Sequence, residues 1–425
     1  MAPTPAKRTH DLINEALQHI GPRSTKKTRL QRITNNDALK AIRMMEDLGK
    51  VIPRLIDPYR HPRQLIVIGS DLARAETRPE ITTGSAALPI DVVKENERLK
   101  SAYQSLVVRQ PQLPQLIEEY RKNDFEKWQD IIALVAHTSS QTRSNDSSTL
   151  RDKLEYFLVD PKEVVPRELS SKVARGWNNQ WTAERLCPQR FLEKFRKDPD
   201  SFMLKVQKGA RKYQQHTDWP AFLYDASAYD KDDPAAGLFK HQVLIKILRH
   251  VLIGPSAAKS NSRVTLPRRC NAGIIGISKI DSNLIAYAAC QARFILSAQT
   301  DWGQTDGKFD GGAFYDRITN YFKTGLEQGD ETVTALLSWY QTEVFENTNI
   351  TSADELEDDS DDSDNEDEDA KIERQCKRRQ TQRNATGNGG NDDTGSDGNS
   401  GSSNGDDAGT TGGDSNSGNN AGPTA

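Results

Sequence analysis

The sequence predicts a mainly α protein, a bundle-like single helical body with room for one or two short strands, flanked by disordered ends. Apolar residues recur at three- and four-residue spacings over several long stretches, which is the signature of helices burying one face. Of the 29 aromatic residues, 26 follow Tyr120 and none lies beyond Phe345, which places the densest packing in the C-terminal half of the body. The last 75 residues carry 19 acidic and 6 basic side chains, no aromatic residue and 12 of the 28 glycines. So little apolar surface cannot offset the conformational entropy of ordering.

The organisation follows in four parts. Residues 1–35 carry prolines at positions 3, 5 and 22 and lack a long apolar stripe, so a disordered basic arm is expected. An N-terminal helical part covers 36–165. Within it Ala38, Ile42, Met45 and Leu48 form one stripe, with Gly49 placed to end the helix. Residues 50–88 are broken by Pro53, Pro58, Pro62 and Pro79, and the stretch 65–75 fits either a strand or a helix start. From Pro89 to Phe157 the stripes Val92, Leu99, Tyr103, Leu106 and then Trp128, Ile131, Ile132, Val135 predict neighbouring helices divided at Pro111 and Pro114. An aromatic-rich helical core covers 166–348, and the acidic, then Gly/Asn/Ser/Asp-rich tail covers 349–425.

In that core, the stretch 237–254 predicts a strong helix whose Val243, Leu244, Ile247, Leu248, Val251 and Leu252 fill a broad apolar face. Gln242, Lys246, Arg249 and His250 are expected on the opposite side, and Gly254 and Pro255 stop the helix. A buried helix follows with Ser282 as its expected N-cap. The last helix runs from about Glu331 to Phe345.

Charge divides the chain. The net −4 hides 51 basic against 42 acidic side chains in residues 1–350 and a tail at −13. No acid occurs between Asp233 and Asp281, a stretch that holds Lys246, Arg249, Arg263, Arg268 and Arg269. These five are the expected contacts to nucleic acid or acidic protein partners. From Arg185 to Tyr213 nine Lys or Arg interleave with Phe191, Phe195, Phe202 and Tyr213. That segment reads either as a phosphate-neutralising surface or as amphipathic helices with solvated lysines, and the second reading has the stronger claim.

Catalytic motifs are weak. The stretch 254–260 lacks the second glycine of a phosphate-cradling loop. The seven histidines never pair at i, i+3 or i, i+4, and the four cysteines, Cys187, Cys270, Cys290 and Cys376, form no CxxC. One carboxylate cluster, Asp225, Asp230, Asp232 and Asp233, follows the apolar run 219–224, as metal-binding acids follow strands in two-metal nucleases. Asp-rich turns are the commoner origin of such a cluster. The expectation is therefore no cofactor, no metal and no catalytic residue, with a metal-dependent nuclease or transposon-derived enzyme as the alternative.

The segments 175–188, 219–239 and 268–297, joined by the GPSAA turn at 254–258, resemble an uncharacterised family expanded in mushroom-forming fungi. The resemblance covers about residues 175–345. It implies a folded unit and a source, and no activity.

The N-terminal stretch has no signal-like apolar core and no apolar run reaches the length of a membrane span, so an intracellular protein with no membrane partner is expected. Lys377, Arg378, Arg379 and Arg383 follow the acidic run as a cluster of the kind read by nuclear import receptors, so the expected location is nuclear, with cytoplasmic the alternative. A reporter fused to residues 366–390 should accumulate in the nucleus. Changing Lys377, Arg378 and Arg379 to alanine should return it to the cytoplasm, as scored by microscopy.

Overall fold

A computed structural model describes residues 5–18, 36–77, 89–210, 213, 215–259 and 270–346. The chain divides into two units, Met1–Ser352 and Ala353–Ala425, and the second lies wholly outside the described residues. Helices dominate the first unit, as the periodicity predicts. The one sheet among the described residues is a two-strand antiparallel ribbon, Thr305–Asp306 (β1) against Phe309–Asp310 (β2).

Pro5–Gln18 (α1) is the one described part of the expected arm 1–35, and there the structure differs; the rest of the arm lies outside the described residues. The described stretch is a helix whose Ile13 is buried in the main core, with Leu12 packed against it. A polar pair replaces the missing apolar stripe. His10 and Asn14, one turn apart, both reach Asp124 Oδ2 at 3.0 Å, and the Tyr120 hydroxyl donates to Asn14 Oδ1 at 3.1 Å.

Asn36–Val51 (α2) runs through Gly49 instead of ending there. A Cβ at Gly49 would stand 2.6 Å from Thr138 Cβ, so the glycine allows close approach to Phe125–Leu150 (α6). Past Val51 the chain makes a wide turn, Ile52–Ile56, closed by the Asp57 amide donating to the Ile52 carbonyl over five residues at 2.8 Å. A second wide turn, Gln64–Ile68, leads into Gly69–Thr77 (α3), which resolves the ambiguous stretch as helical. Ile90–Arg109 (α4) and Leu113–Asn123 (α5) complete this part before α6.

The C-terminal part contains Gln180–Leu186 (α7), Leu192–Lys197 (α8), Pro199–Gln207 (α9), Gln242–Leu252 (α10), Pro255–Lys259 (α11), Asn271–Ile274 (α12), Ser282–Leu296 (α13), Gly311–Glu327 (α14) and Glu331–Gln341 (α15). The apolar run 219–224 is not a strand. It makes one short turn, Ala221–Leu223, between single bridges that join Pro188 to Pro220 and Tyr224 to Leu238.

Helix α13 is the centre. Every residue from Leu284 to Leu296 is buried, and the helix packs on α6, α10 and α14. Its N-cap is Asp281, whose Oδ1 accepts from the Leu284 amide at 2.9 Å, one residue before the expected Ser282. Its C-terminal carbonyls meet two buried cations. Lys172 Nζ donates to the carbonyls of Phe294 and Ser297 at 2.5 and 2.8 Å, and Arg175 Nη1 donates to that of Ile295 at 3.0 Å. The main apolar cluster extends from Ile13 to Phe345, so both parts of the chain share it. A smaller cluster, with Phe195, Phe202 and Tyr213 at its heart, sits under α8 and α9.

The N-terminal part is locked to α13 by a buried ion pair. Arg54 donates to both oxygens of Asp146 at 2.9 and 2.7 Å, and the Tyr287 hydroxyl donates to Asp146 Oδ2 at 2.8 Å. Asp146→Ala leaves Arg54 charged and unpaired in the interior. It should cost about 3–5 kcal/mol in urea denaturation, whereas replacing an exposed acid such as Asp130 should cost less than about 0.5 kcal/mol.

Candidate functional site

Helix α10 carries two of the cations expected to meet partners, and the structure separates them. Arg249 is buried, at 7 % exposure, and its Nε and Nη2 donate to the Glu343 carbonyl at 2.9 and 2.6 Å. It holds the chain end of the body against α10 and is not a solvated contact. His250 is also buried, its Nδ1 3.0 Å from the Tyr156 hydroxyl. The expected polar face fails because α10 is covered on both sides. Only Gln242 of the four is exposed, and Lys246 is half-buried, its amine shifted down by burial against the opposing pull of Glu155. Arg263, Arg268 and Arg269 lie outside the described residues, as do Lys377, Arg378, Arg379 and Arg383.

The carboxylates of the nuclease alternative build turns. Asp225 Oδ1 accepts from the Ser227 amide and hydroxyl at 3.0 and 2.7 Å, Asp230 Oδ1 from the Asp232 amide at 2.9 Å, and Asp233 Oδ1 from the Ala235 amide at 3.1 Å. Among the described residues no group of three or more His, Cys, Asp and Glu is placed to hold a metal ion.

The basic, ring-containing segment divides cleanly. Phe195, Phe202 and Tyr213 are core of the small cluster. Three of its arginines are paired, Arg185 with Glu163, Arg190 with Asp218 at 2.8 Å and Arg196 with Glu184 at 2.6 Å. Lys197, Lys205 and Lys208 are exposed and, among the described residues, have no carboxylate within ion-pair distance. The body's surface positive charge is concentrated here more than on α10.

A second ionic assembly left no sequence signal. Asp57 is buried at the end of the first wide turn and accepts from the Tyr59 and Arg60 amides at 2.8 and 2.9 Å. Arg60 and Arg98 reach its Oδ2 at 2.9 and 2.8 Å. Burial pushes its carboxyl up, but the two guanidiniums outweigh burial and hold it below the usual range. Arg60 also pairs with Glu95 at 2.6 Å, and Arg98 with Asp316. Beside them Tyr59 stacks on Trp302 with centroids 5.3 Å apart, over a gap of about 20 Å³ that also touches Cys290 and Arg293. That gap is water-sized. These groups hold one another and face no larger opening.

One larger concavity lies where the turn before α10 meets α15. It has a volume of about 310 Å³ and is lined by Asp225, Lys240, Gln242, Thr332, Ala335, Leu336 and Trp339. Leu336 is buried and forms its floor, Trp339 is a half-buried wall, and Lys240 and Gln242 are exposed. Its geometry is held by strain. Phe239, fully buried, has φ 60°, a left-handed value costly for a bulky residue, and the Tyr340 hydroxyl donates to its carbonyl at 2.5 Å. Packing of the Phe239 ring therefore fixes where Lys240 leaves the core.

Residues 137–345 match the model of a family of unknown function (DUF6698), which supports an uncharacterised domain family over α6 to the chain end of the body. No curated protein and no solved structure matches the chain. No described helix is long and apolar enough to cross a membrane.

Three bases lowered by burial, Lys172, His250 and His241, shape the pH dependence. Burial pushes the Lys172 amine from 10.5 down to about 7, with Arg175 adding to the shift. Between those values the unfolded chain holds a proton that the folded chain lacks, so this residue makes stability rise as pH increases from 7 towards 10. Burial likewise lowers His250 and His241 from 6.5 to about 4, so their contribution falls as pH drops through that window. Urea titrations from pH 4 to 10 should show both slopes. Lys172→Gln should flatten the alkaline one and His250→Gln should reduce the acidic one, leaving the share of His241.

Proposed function

We propose that the protein is a non-enzymatic nuclear binding or scaffold protein whose basic body contacts nucleic acid. Acidic proteins are the other partners its charge suits. The observation that carries this reading is the set of exposed, unpaired lysines on α8, α9 and the turn after them, Lys197, Lys205 and Lys208, in a body with 51 basic and 42 acidic side chains. Phosphates neutralised by such side chains release counterions, which drives binding without sequence preference. The tail, at −13, competes for the same cations, and the cluster Lys377, Arg378, Arg379 and Arg383 suits an import receptor. Among the described residues no gathered carboxylates support the metal-dependent nuclease reading.

Deleting residues 351–425 should strengthen binding of a 20-base-pair duplex, most at low salt, because screening over about 10 Å at 0.1 M already weakens the tail's competition. In the truncated chain, Lys197→Gln, Lys205→Gln and Lys208→Gln together should lower both the affinity and its salt slope in fluorescence anisotropy. Absence of binding at low salt by the truncated chain would remove the nucleic-acid reading.

A further inference from the structure

The concavity between the turn before α10 and helix α15 combines three kinds of recognition that seldom meet by packing alone. Trp339, half-buried and packed on Tyr340, and the buried Leu336 give the concavity an aromatic and aliphatic lining. Lys240 stands exposed at its rim and forms no ion pair with a described carboxylate, although its charge is felt by Asp225 across the same concavity. Asp225, Gln242 and Thr332 supply acceptors and donors around the same space. Asp225 uses Oδ1 for its own turn, through Ser227, and among the described residues no hydrogen bond occupies Oδ2.

We propose that this concavity is a binding site for one unpaired nucleotide of a single-stranded nucleic acid, its base against Trp339 and its phosphate at Lys240. The proposal rests on the nucleic-acid reading above and deepens it from charge attraction to a defined pocket. Its size argues first. About 310 Å³ lies at the small end of ligand pockets, enough for a base and its sugar and too little for a folded peptide element. Its chemistry argues second. A ligand must be flat and apolar on its faces for Trp339, carry hydrogen-bonding edges for Asp225 Oδ2 and Gln242, and be anionic at one end for Lys240. A purely apolar side chain uses only the first, and a cationic ligand suits Trp339 and Asp225 but is repelled by Lys240. An unpaired nucleotide uses all three, through stacking, edge contacts and phosphate charge. A base inside a duplex is stacked on its neighbours and does not offer its face, so the site selects single strands.

The test uses the full chain and two fluorescein-labelled probes, a 12-nucleotide single-stranded RNA of mixed sequence and a duplex of the same length, in low salt. The single strand should bind more tightly than the duplex. Trp339→Leu should weaken single-strand binding roughly tenfold, the scale of one lost base-stacking contact, and leave duplex binding unchanged. Trp339→Phe, which keeps a ring at the wall, should restore most of the loss and controls for misfolding, with circular dichroism checking all variants. Lys240→Gln should weaken the single strand and reduce its salt slope by about one counterion's worth. Single-strand binding by folded Trp339→Leu equal to wild type would overturn the pocket while leaving the basic surface standing. If the wild-type and tail-deleted chains bind neither probe, the nucleic-acid reading falls, and the pocket assignment with it.

Discussion

The structure depends on a helix with no solvent to satisfy it. Helix α13 is buried from Leu284 to Leu296, so the donors at its start and the acceptors at its end must find partners within the protein. Asp281 answers the first end, Lys172 and Arg175 the second. Polar side chains within the helix are bound too. Gln291 Nε2 donates to the Tyr287 hydroxyl at 2.9 Å while its Oε1 accepts from the Ser147 hydroxyl at 3.1 Å. That chain ends at Asp146 and Arg54, which reaches out of the wide turn Ile52–Ile56. Satisfying one buried helix therefore fixes the register of α6, the turn after α2 and the 3-10 turns around residues 167–178 against it. The short turns of that last stretch have little regular structure of their own, and their order follows from the cations they deliver.

This arrangement changes how the charge of the body should be counted. Lys172, Arg175 and Arg249 are buried, and the bonds they make are largely to backbone carbonyls at segment ends. Part of the excess positive charge in the sequence is thus internal capping and is not available to a partner. The exposed lysines of α8 and α9 differ in kind. Their backbone is anchored by Phe195, Phe202 and Val206, and among the described residues no carboxylate forms an ion pair with their amines, Glu193 only feeling the charge of Lys197 from a turn away. Charge counted from sequence overstates the interacting surface, and burial decides which cations remain.

The helices with strong apolar stripes were legible. Trp128, Ile131, Ile132 and Val135 are core residues of α6, and the apolar face of α10 is buried as its spacing predicts. The polar partners of those helices were not legible. Arg249 looks like a solvated cation because its partner is a backbone carbonyl 94 residues away, and a carbonyl leaves no mark in a sequence. Arg54 and Asp146 stand 92 residues apart, and either alone resembles an ordinary surface charge. Helix α1 leaves little mark in the sequence for a related reason, since its docking uses His10 and Asn14 in place of a long apolar stripe. The Asp225–Asp233 cluster was legible in its commoner sense, because each Asp-X-X spacing favours an acid accepting from the amide two residues on, and three of the four acids do so.

The concavity at Trp339 was invisible for yet another reason. Its wall comes from α15, its rim from Lys240 and Gln242, and its acid from Asp225, three segments brought together by the fold. The strained Phe239 connects them, because a left-handed residue just before Lys240 turns the chain so that the ring enters the core and the lysine leaves it. A glycine at 239 would relieve the backbone at the cost of the buried ring, and an aliphatic residue would keep the strain and lose the contacts with Trp219, Tyr321 and Phe322. Strain is retained where the surrounding packing over-determines it. Lysines such as Lys197, Lys205 and Lys208 can position a phosphate backbone without distinguishing one strand from another. A shaped slot with one aromatic wall supplies the discrimination that charge lacks, and a rigid turn is what keeps such a slot open.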